Sequence, residues 1–196
     1  MTFLIQEMLQ EGIIRPSTSP FFLFSYPNKK IWDLVFCVDY QGLNTITVKN
    51  RFPIPTINEL LEELTTTKIF TKLELHSGYH QIRVHPSDCH KTTFRTYYGH
   101  YKFLVMPFCL VNAPSTFQAT MNELLRPHLR HFVLVFFMTF SFTTTLCQNI
   151  FNSSHKILCL LQTHNFFIKE SKCVCNHQGL ILRPSLSRRH CFPRPR

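Results

Sequence analysis

The sequence predicts an α+β fold in which an antiparallel sheet is backed by helices, and three observations carry that expectation. Segments with period-two alternation interleave with segments whose apolar residues recur at helical spacing. Two strand-like segments, 94–98 and 101–106, are split only by Gly99 and His100 and predict a hairpin. A length of 196 residues with 44% hydrophobic and 16% charged residues supplies a real core and argues against a wholly disordered chain. Five glycines and no periodic repeat exclude collagen-like and solenoid architectures.

In chain order, Phe3, Leu4, Met8, Leu9 and Ile13 predict a first helix, ended by Gly12 and Pro16. Residues 17–30 read as extended or loop, and the β-branched and aromatic run 35–40 as a strand. Phe52-Pro-Ile-Pro55 cannot be helix interior, because each proline lacks an amide donor and constrains its predecessor. Thr56 then caps a helix over 57–64 with acids in its first turns. Alternation over 68–75 predicts a strand with one buried face, turned sharply by 77–81. Pro114 sits in the first turn of a helix whose buried stripe is Phe117, Met121, Leu124 and Leu125. Residues 132–137 form a very apolar strand, and 154–165 a further helix.

Lys and Arg outnumber Asp and Glu by 21 to 11, a net charge of +10 that points to phosphate-bearing partners. Most of the excess lies late: residues 128–196 hold nine basic residues against Glu170 alone. Only three aspartates exist, Asp33, Asp39 and Asp88, so chemistry that needs clustered carboxylates must draw on these or on Glu. No charge interrupts 132–151, but its Phe, Val and Thr content suits a strand better than a membrane helix. The eight cysteines lack framework spacing, and Cys173, Cys175 and His177 lack the spacing of a zinc site. The chain opens without the pattern of a secretory signal, so a reducing intracellular compartment is expected.

Six segments stand out: Phe36-Cys-Val-Asp-Tyr40-Gln-Gly-Leu-Asn44, Arg51-Phe-Pro-Ile-Pro-Thr56, Ser77-Gly-Tyr-His-Gln81, Val105-Met-Pro-Phe108, Asn112-Ala-Pro-Ser-Thr-Phe-Gln118 and 166–173. In order and spacing they resemble the reverse transcriptase of gypsy-type LTR retrotransposons. The resemblance covers 1–182, with 183–196 an unmatched basic Pro/Arg tail. It implies a polymerase palm with partial fingers, and no thumb or RNase H domain. The implied partners are an RNA or DNA template-primer and dNTP, with Mg2+ or Mn2+ as cofactor and with neither a membrane nor an obligate protein partner.

Two cations about 4 Å apart need several converging carboxylates. The resemblance places these at 74, 138 and 139, where this chain has Glu74, Met138 and Thr139. Glu74 is one methylene longer than Asp, and neither Met nor Thr offers a hard anionic oxygen. Glu74 is thus the one metal ligand left. The resemblance assigns Lys30, Tyr79, Phe108 and Gln118 to the nucleotide, with Tyr79 the residue on which the incoming sugar stacks. It assigns Asp39, Tyr40, Asn44 and Pro114 to the nucleic acid. Lys29, beside Lys30, is a further candidate phosphate contact, although paired lysines in a loop are usually solvated surface. Val35 and Gln41 replace family arginines, and Cys109 replaces a glycine whose torsions Cys resists.

From about 138 to 152 the family pattern dissolves into Phe, Thr and Ser, as in a decayed element. The expected function is therefore a reverse transcriptase domain that is catalytically inactive. The alternatives are a non-catalytic nucleic-acid-binding remnant, whose groove would use Lys72, Tyr79, Arg83, Lys91 and Arg95, and a non-functional product. In the last case an apolar palm strand without its hairpin partner would leave an exposed edge.

Overall fold

The computed structural model describes residues 2–20, 23–30, 33–56, 58–59, 62, 69–136, 139–144 and 147–175, with backbone alone at 2, 23–30, 33–37, 69–70, 136, 139–144, 147–152 and 174–175. The chain divides into two compact units. Met1–Asn50 and Tyr79–Ala113 belong to the first, Arg51–Gly78 and Pro114–Arg189 to the second.

The first unit opens with helix α1 (Thr2–Gln10), whose Ile5 and Met8 are buried one turn apart. Its end follows from Gly12, at φ 72°: the Gly12 amide donates to the Leu9 carbonyl and the Ile13 amide to the Met8 carbonyl. This is a Schellman closure, which needs a left-handed residue and is cheapest with glycine. The chain then turns into strand β1 (Ile14–Pro16), where the sequence alone suggested the helix tail. Pro16 is tolerated because β1 is an edge strand.

Strands β2 (Leu23–Lys30) and β3 (Asp33–Val38) pair antiparallel from Ser25↔Val38 to Lys30↔Asp33. Helix α2 (Gln41–Ile46) follows. It was not legible in the sequence because Gly42 lowers its propensity. The Asp39 carboxylate accepts the Gln41 amide at 2.9 Å and starts the turn. Strands β5 (Phe94–Thr96) and β6 (Gly99–Phe103), numbered after β4 of the second unit, make the expected hairpin. The turn is displaced, however: Thr96 pairs with Gly99, so Tyr97 and Tyr98 form the two-residue loop. The sheet order is β1-β6-β5-β2-β3, antiparallel except for the β2–β5 pair. Ile5, Met8, Ile14, Tyr40, Phe94 and Phe103 are the centre of its core, with the Phe94 and Phe103 rings 5.1 Å apart. Burying each such side chain contributes roughly 1.5–3 kcal/mol.

The second unit is an antiparallel sheet of order β7-β8-β4-β9, built from β4 (Ile69–Glu74), β7 (Val133–Phe136), β8 (Thr139–Thr144) and β9 (Val174–Cys175). Alternation is realised in β4: Thr71 and Leu73, with Leu75 just beyond, are buried, while Lys72 and Glu74 are half-buried. Helix α3 (Ala113–Leu125) buries Phe117, Met121 and Leu125 at four-residue spacing, a single face. Helix α4 (Cys147–Thr163) packs on β8 and begins seven residues before the sequence-based start. It closes on Asn165 at φ 60°, with the Phe166 amide donating to the Leu161 carbonyl, the same closure that ends α1.

Strand β7 does not lack a hairpin partner. It pairs with β8 from Val133↔Phe142 to Phe136↔Thr139. The helix expected over 57–64 lies mostly outside the described residues, but its start is a capping box: the Thr56 amide donates to the Glu59 carboxylate and the Glu59 amide to the Thr56 hydroxyl. Among the described residues no helix is long and apolar enough to cross a membrane.

Candidate functional site

The site in the second unit is organised by the centre of its sheet. β4 lies between β8 and β9, and its last residue, Glu74, is the register partner of Thr139. Two of the three positions singled out in the sequence are thereby cross-strand neighbours. Met138 lies outside the described residues. Beyond Glu74, the chain segment after α4 is strapped to the strand. The Lys169 amide donates to the Glu74 carbonyl at 2.7 Å and the His76 amide to the Phe167 carbonyl at 3.0 Å. Burial holds the His76 imidazole below its ordinary pKa, and the charge of Lys169 acts in the same direction.

The Glu74 carboxylate is held by ammonium groups. Lys172 Nζ donates to Oε1 at 2.8 Å, and Lys72 Nζ lies 3.9 Å from Oε2. Lys172 stands 98 residues away in sequence and was not among the expected site residues, because no local pattern links it to Glu74.

The donor set can be tested against a pair of divalent cations. No group of three or more His, Cys, Asp or Glu side chains able to hold a metal ion occurs among the described residues. Glu74 is paired with two ammonium groups, and its register partner Thr139 is neutral. One carboxylate beside a neutral residue does not fit a two-metal centre, which needs several converging anionic oxygens.

Gln118, on α3, is 2% exposed. Its Nε2 donates to the Val135 carbonyl at 3.1 Å and to Asn122 Oδ1 at 3.0 Å. The Val135 carbonyl accepts only from a donor, which fixes the amide orientation and leaves Oε1 buried with no hydrogen-bond partner among the described residues. Pro114 occupies the second position of the same helix, where its missing amide costs nothing.

In the first unit, Tyr79 and Phe108 come together. Tyr79 lies in a short 3-10 turn (Gly78–Gln81) and is buried, with its ring centroid 5.3 Å from that of Phe108. The His80 ring packs on Phe108 at 4.7 Å. Burial pushes the Tyr79 phenol above its ordinary pKa.

Tyr40 and Asn44 are both engaged inside the unit. The buried Tyr40 hydroxyl donates to the Thr92 carbonyl at 3.0 Å, and burial, reinforced by Cys109, raises its pKa strongly. Asn44 Nδ2 donates to the Cys109 carbonyl at 3.0 Å while its Oδ1 accepts the Val111 amide at 2.9 Å. Asn112 returns the arrangement, accepting the Asn50 amide and donating to the Val48 carbonyl. Sequence reasoning missed this double clamp, although paired asparagines flanking a loop are its chemical signature. Cys109 is not among the described residues with positive φ, so the torsional freedom of a glycine is not required there. Asp39 is exposed beyond its bond to Gln41. Lys30 lies at the end of β2 opposite Asp33, with only its backbone described. Lys91 pairs with Asp88 at 2.7 Å, and that hydrogen bond lowers the Asp88 pKa.

Comparison with known proteins gives a consistent picture. The sequence profile of the family described as "Reverse transcriptase (RNA-dependent DNA polymerase)" matches residues 28–184. The chain is 38% identical over 192 residues to the "Retrovirus-related Pol polyprotein from transposon 297" of Drosophila melanogaster, covering 92% of this chain and 18% of the relative. It is 47% identical over 103 residues to an "RNA-directed DNA polymerase homolog" of Oenothera berteroana, covering 53% of this chain and 72% of that protein. It is 37% identical over 137 residues to the "Retrovirus-related Pol polyprotein from transposon gypsy" of Drosophila melanogaster, covering 64% of this chain and 13% of the relative. The chain thus spans under a fifth of the length of the Pol polyproteins it matches. Among solved structures, the foamy viral protease-reverse transcriptase in complex with RNA/DNA hybrid superposes with a TM-score of 0.81 at 19% identity, covering 88% of this chain and 23% of that one. That likeness concerns the fold.

Proposed function

Because the chain belongs to the reverse transcriptase (RNA-dependent DNA polymerase) family, we propose that it is a palm-and-fingers segment that engages a template-primer without extending it. The second unit corresponds to the palm and the first to the fingers. The observation that carries this reading is the state of Glu74. Its carboxylate, at the strand position from which the family presents a metal ligand, is paired with Lys172 and Lys72 and faces Thr139 across the ladder. With no second carboxylate in that register, no reaction step is routed through a metal here. What the chain's own residues do is tie the 166–173 segment to the end of β4, through the Lys172–Glu74 ion pair and the backbone bonds of Lys169 and His76.

Binding is supported by different groups. The charge excess of +10 favours a polyanion. Within the first unit, Tyr79 packed on Phe108 offers an apolar wall for a sugar, with Lys30 a proposed phosphate contact. Within the second, Gln118 and Pro114 on α3 are the proposed nucleotide and template contacts. Asp39 is exposed for a groove contact, whereas Asn44 fixes the loop after Phe108 and Tyr40 is anchored on the Thr92 carbonyl. The foamy viral protease-reverse transcriptases solved in complex with an RNA/DNA hybrid and with dsDNA share this fold.

The test is one titration and one gel on the same preparation. Fluorescence anisotropy with a labelled RNA·DNA primer-template is expected to show binding that weakens steeply with salt, while primer extension with Mg2+ or Mn2+ gives no product. Extension by the native chain sinks the claim of inactivity, and salt-insensitive or absent binding sinks the claim of engagement.

A further inference from the structure

The hairpin of the first unit ends in a turn of two tyrosines. Two-residue hairpin loops favour Asn, Asp or Gly, because their backbone asks for left-handed torsions. Here the loop is Tyr97-Tyr98, and neither tyrosine has positive φ; only the following Gly99 does, at 147°. The turn is held instead by Thr96, whose hydroxyl accepts the Tyr98 amide at 3.2 Å and donates to the Gly99 carbonyl at 3.2 Å. Tyr97 is 95% exposed and Tyr98 50%, with their rings edge to face at 5.5 Å. The torsions admit tyrosine without strain, but among the described residues no packing contact of the fold accounts for a 95% exposed ring at the tip. Two large aromatic faces are presented to water.

Beside the tip lies a cavity of about 400 Å³, lined by Ser19, Pro20, Arg95, Thr96, Tyr97, Gly99 and His100. Among the described residues no carboxylate lines it. Arg95 is exposed, and His100 Nε2 is buried with no hydrogen-bond partner among the described residues. We propose that this tip is a docking surface for single-stranded nucleic acid: a base stacks on Tyr97 while Arg95 and His100 meet the adjoining phosphate or base edge. Charge complementarity selects this occupant over an apolar protein segment, since the lining carries positive charge and no negative charge, and exposed aromatics beside cations are how single strands are held without sequence preference. The proposal rests on the nucleic-acid-binding reading above, but it assigns a contact separate from the duplex.

The experiment uses the full chain with two labelled probes, a short oligothymidylate and a blunt RNA·DNA duplex. Tyr97→Ala is expected to weaken oligothymidylate binding about tenfold and leave duplex binding unchanged, while Tyr97→Phe retains both. Arg95→Gln is expected to lower the salt slope of oligothymidylate binding by about one. Far-UV circular dichroism shows whether the variants fold; Tyr97→Phe and Arg95→Gln decide the matter if the alanine variant does not. Undiminished oligothymidylate binding by the alanine and Arg95 variants overturns the proposal while duplex binding, and with it the broader reading, stands. Loss of a dimer in Tyr97→Ala, seen by light scattering, with single-strand binding intact, also overturns it and marks a self-association surface. Failure of the native chain to bind either probe overturns both.

Discussion

Replacing Lys172 asks whether Glu74 has become a contact that holds the fold. Lys172 Nζ lies 2.8 Å from Glu74 Oε1, with the Lys72 ammonium 3.9 Å from the other oxygen. At the dielectric of water, unit charges at the shorter distance attract by about 1.5 kcal/mol. Ordering a long lysine side chain and screening by salt remove part of this. The Glu74 side chain is 17% exposed and that of Lys172 53%, so the pair lies between surface and interior. A net coupling of about 1 kcal/mol follows. Lys172→Met keeps the stem and removes the charge, and the Lys169 amide bond to the Glu74 carbonyl is untouched. Urea unfolding of the wild type, Lys172→Met, Glu74→Gln and the double variant yields that coupling as a double-mutant cycle. It is expected to shrink as salt rises. A coupling below about 0.3 kcal/mol at low salt refutes the reasoning, since Glu74 would then gain nothing from the ammonium that faces it.

Gln118→Ala leaves the buried Val135 carbonyl without its donor and opens a cavity, so unfolding stability falls by about 1–3 kcal/mol. Gln118→Glu, which presents no N–H to that carbonyl at neutral pH, is expected to fall at least as far, both read by chemical denaturation. Tyr40 carries a pH signature: its folded pKa lies above the ordinary 10.0, so it contributes stability below pH 10 that is lost as pH rises beyond that value. Tyr40→Phe loses the bond to the Thr92 carbonyl, about 1 kcal/mol, and flattens the alkaline limb of the stability profile. Asn44→Ala releases the Cys109 carbonyl and the Val111 amide together, and hydrogen exchange at Val111 is expected to accelerate while exchange at Phe103, within β6, is unchanged.

What the sequence disclosed was what local chemistry dictates. Alternation in 71–75, the four-residue spacing of Phe117, Met121 and Leu125, and the Thr56–Glu59 cap all reappear in the structure because each depends on neighbours within a few residues. Positions 74 and 139, singled out by the motifs, are register partners in the ladder, a pairing that spacing along the chain does not specify. Non-local arrangements stayed hidden. Lys172 reaches Glu74 only because 167–169 pairs with the end of β4, and the Asn44 and Asn112 clamps join segments more than sixty residues apart. Helix α2 was hidden for a local reason, a glycine in a six-residue helix started by Asp39. The hairpin turn was misplaced because Gly99 is the obvious turn former, yet it begins β6 while two tyrosines make the bend.

The central claim, that the register position of the palm no longer accepts divalent cations, is tested most directly by counting bound Mn2+ with electron paramagnetic resonance. The native chain is measured beside the Glu74→Asp, Met138→Asp, Thr139→Asp triple variant. The account predicts no Mn2+ held by the native chain and uptake by the triple variant, whose carboxylates outnumber the ammonium groups that face them. Stoichiometric Mn2+ on the native chain, abolished by Glu74→Gln, would contradict it, because the carboxylate would then prefer a metal to Lys172.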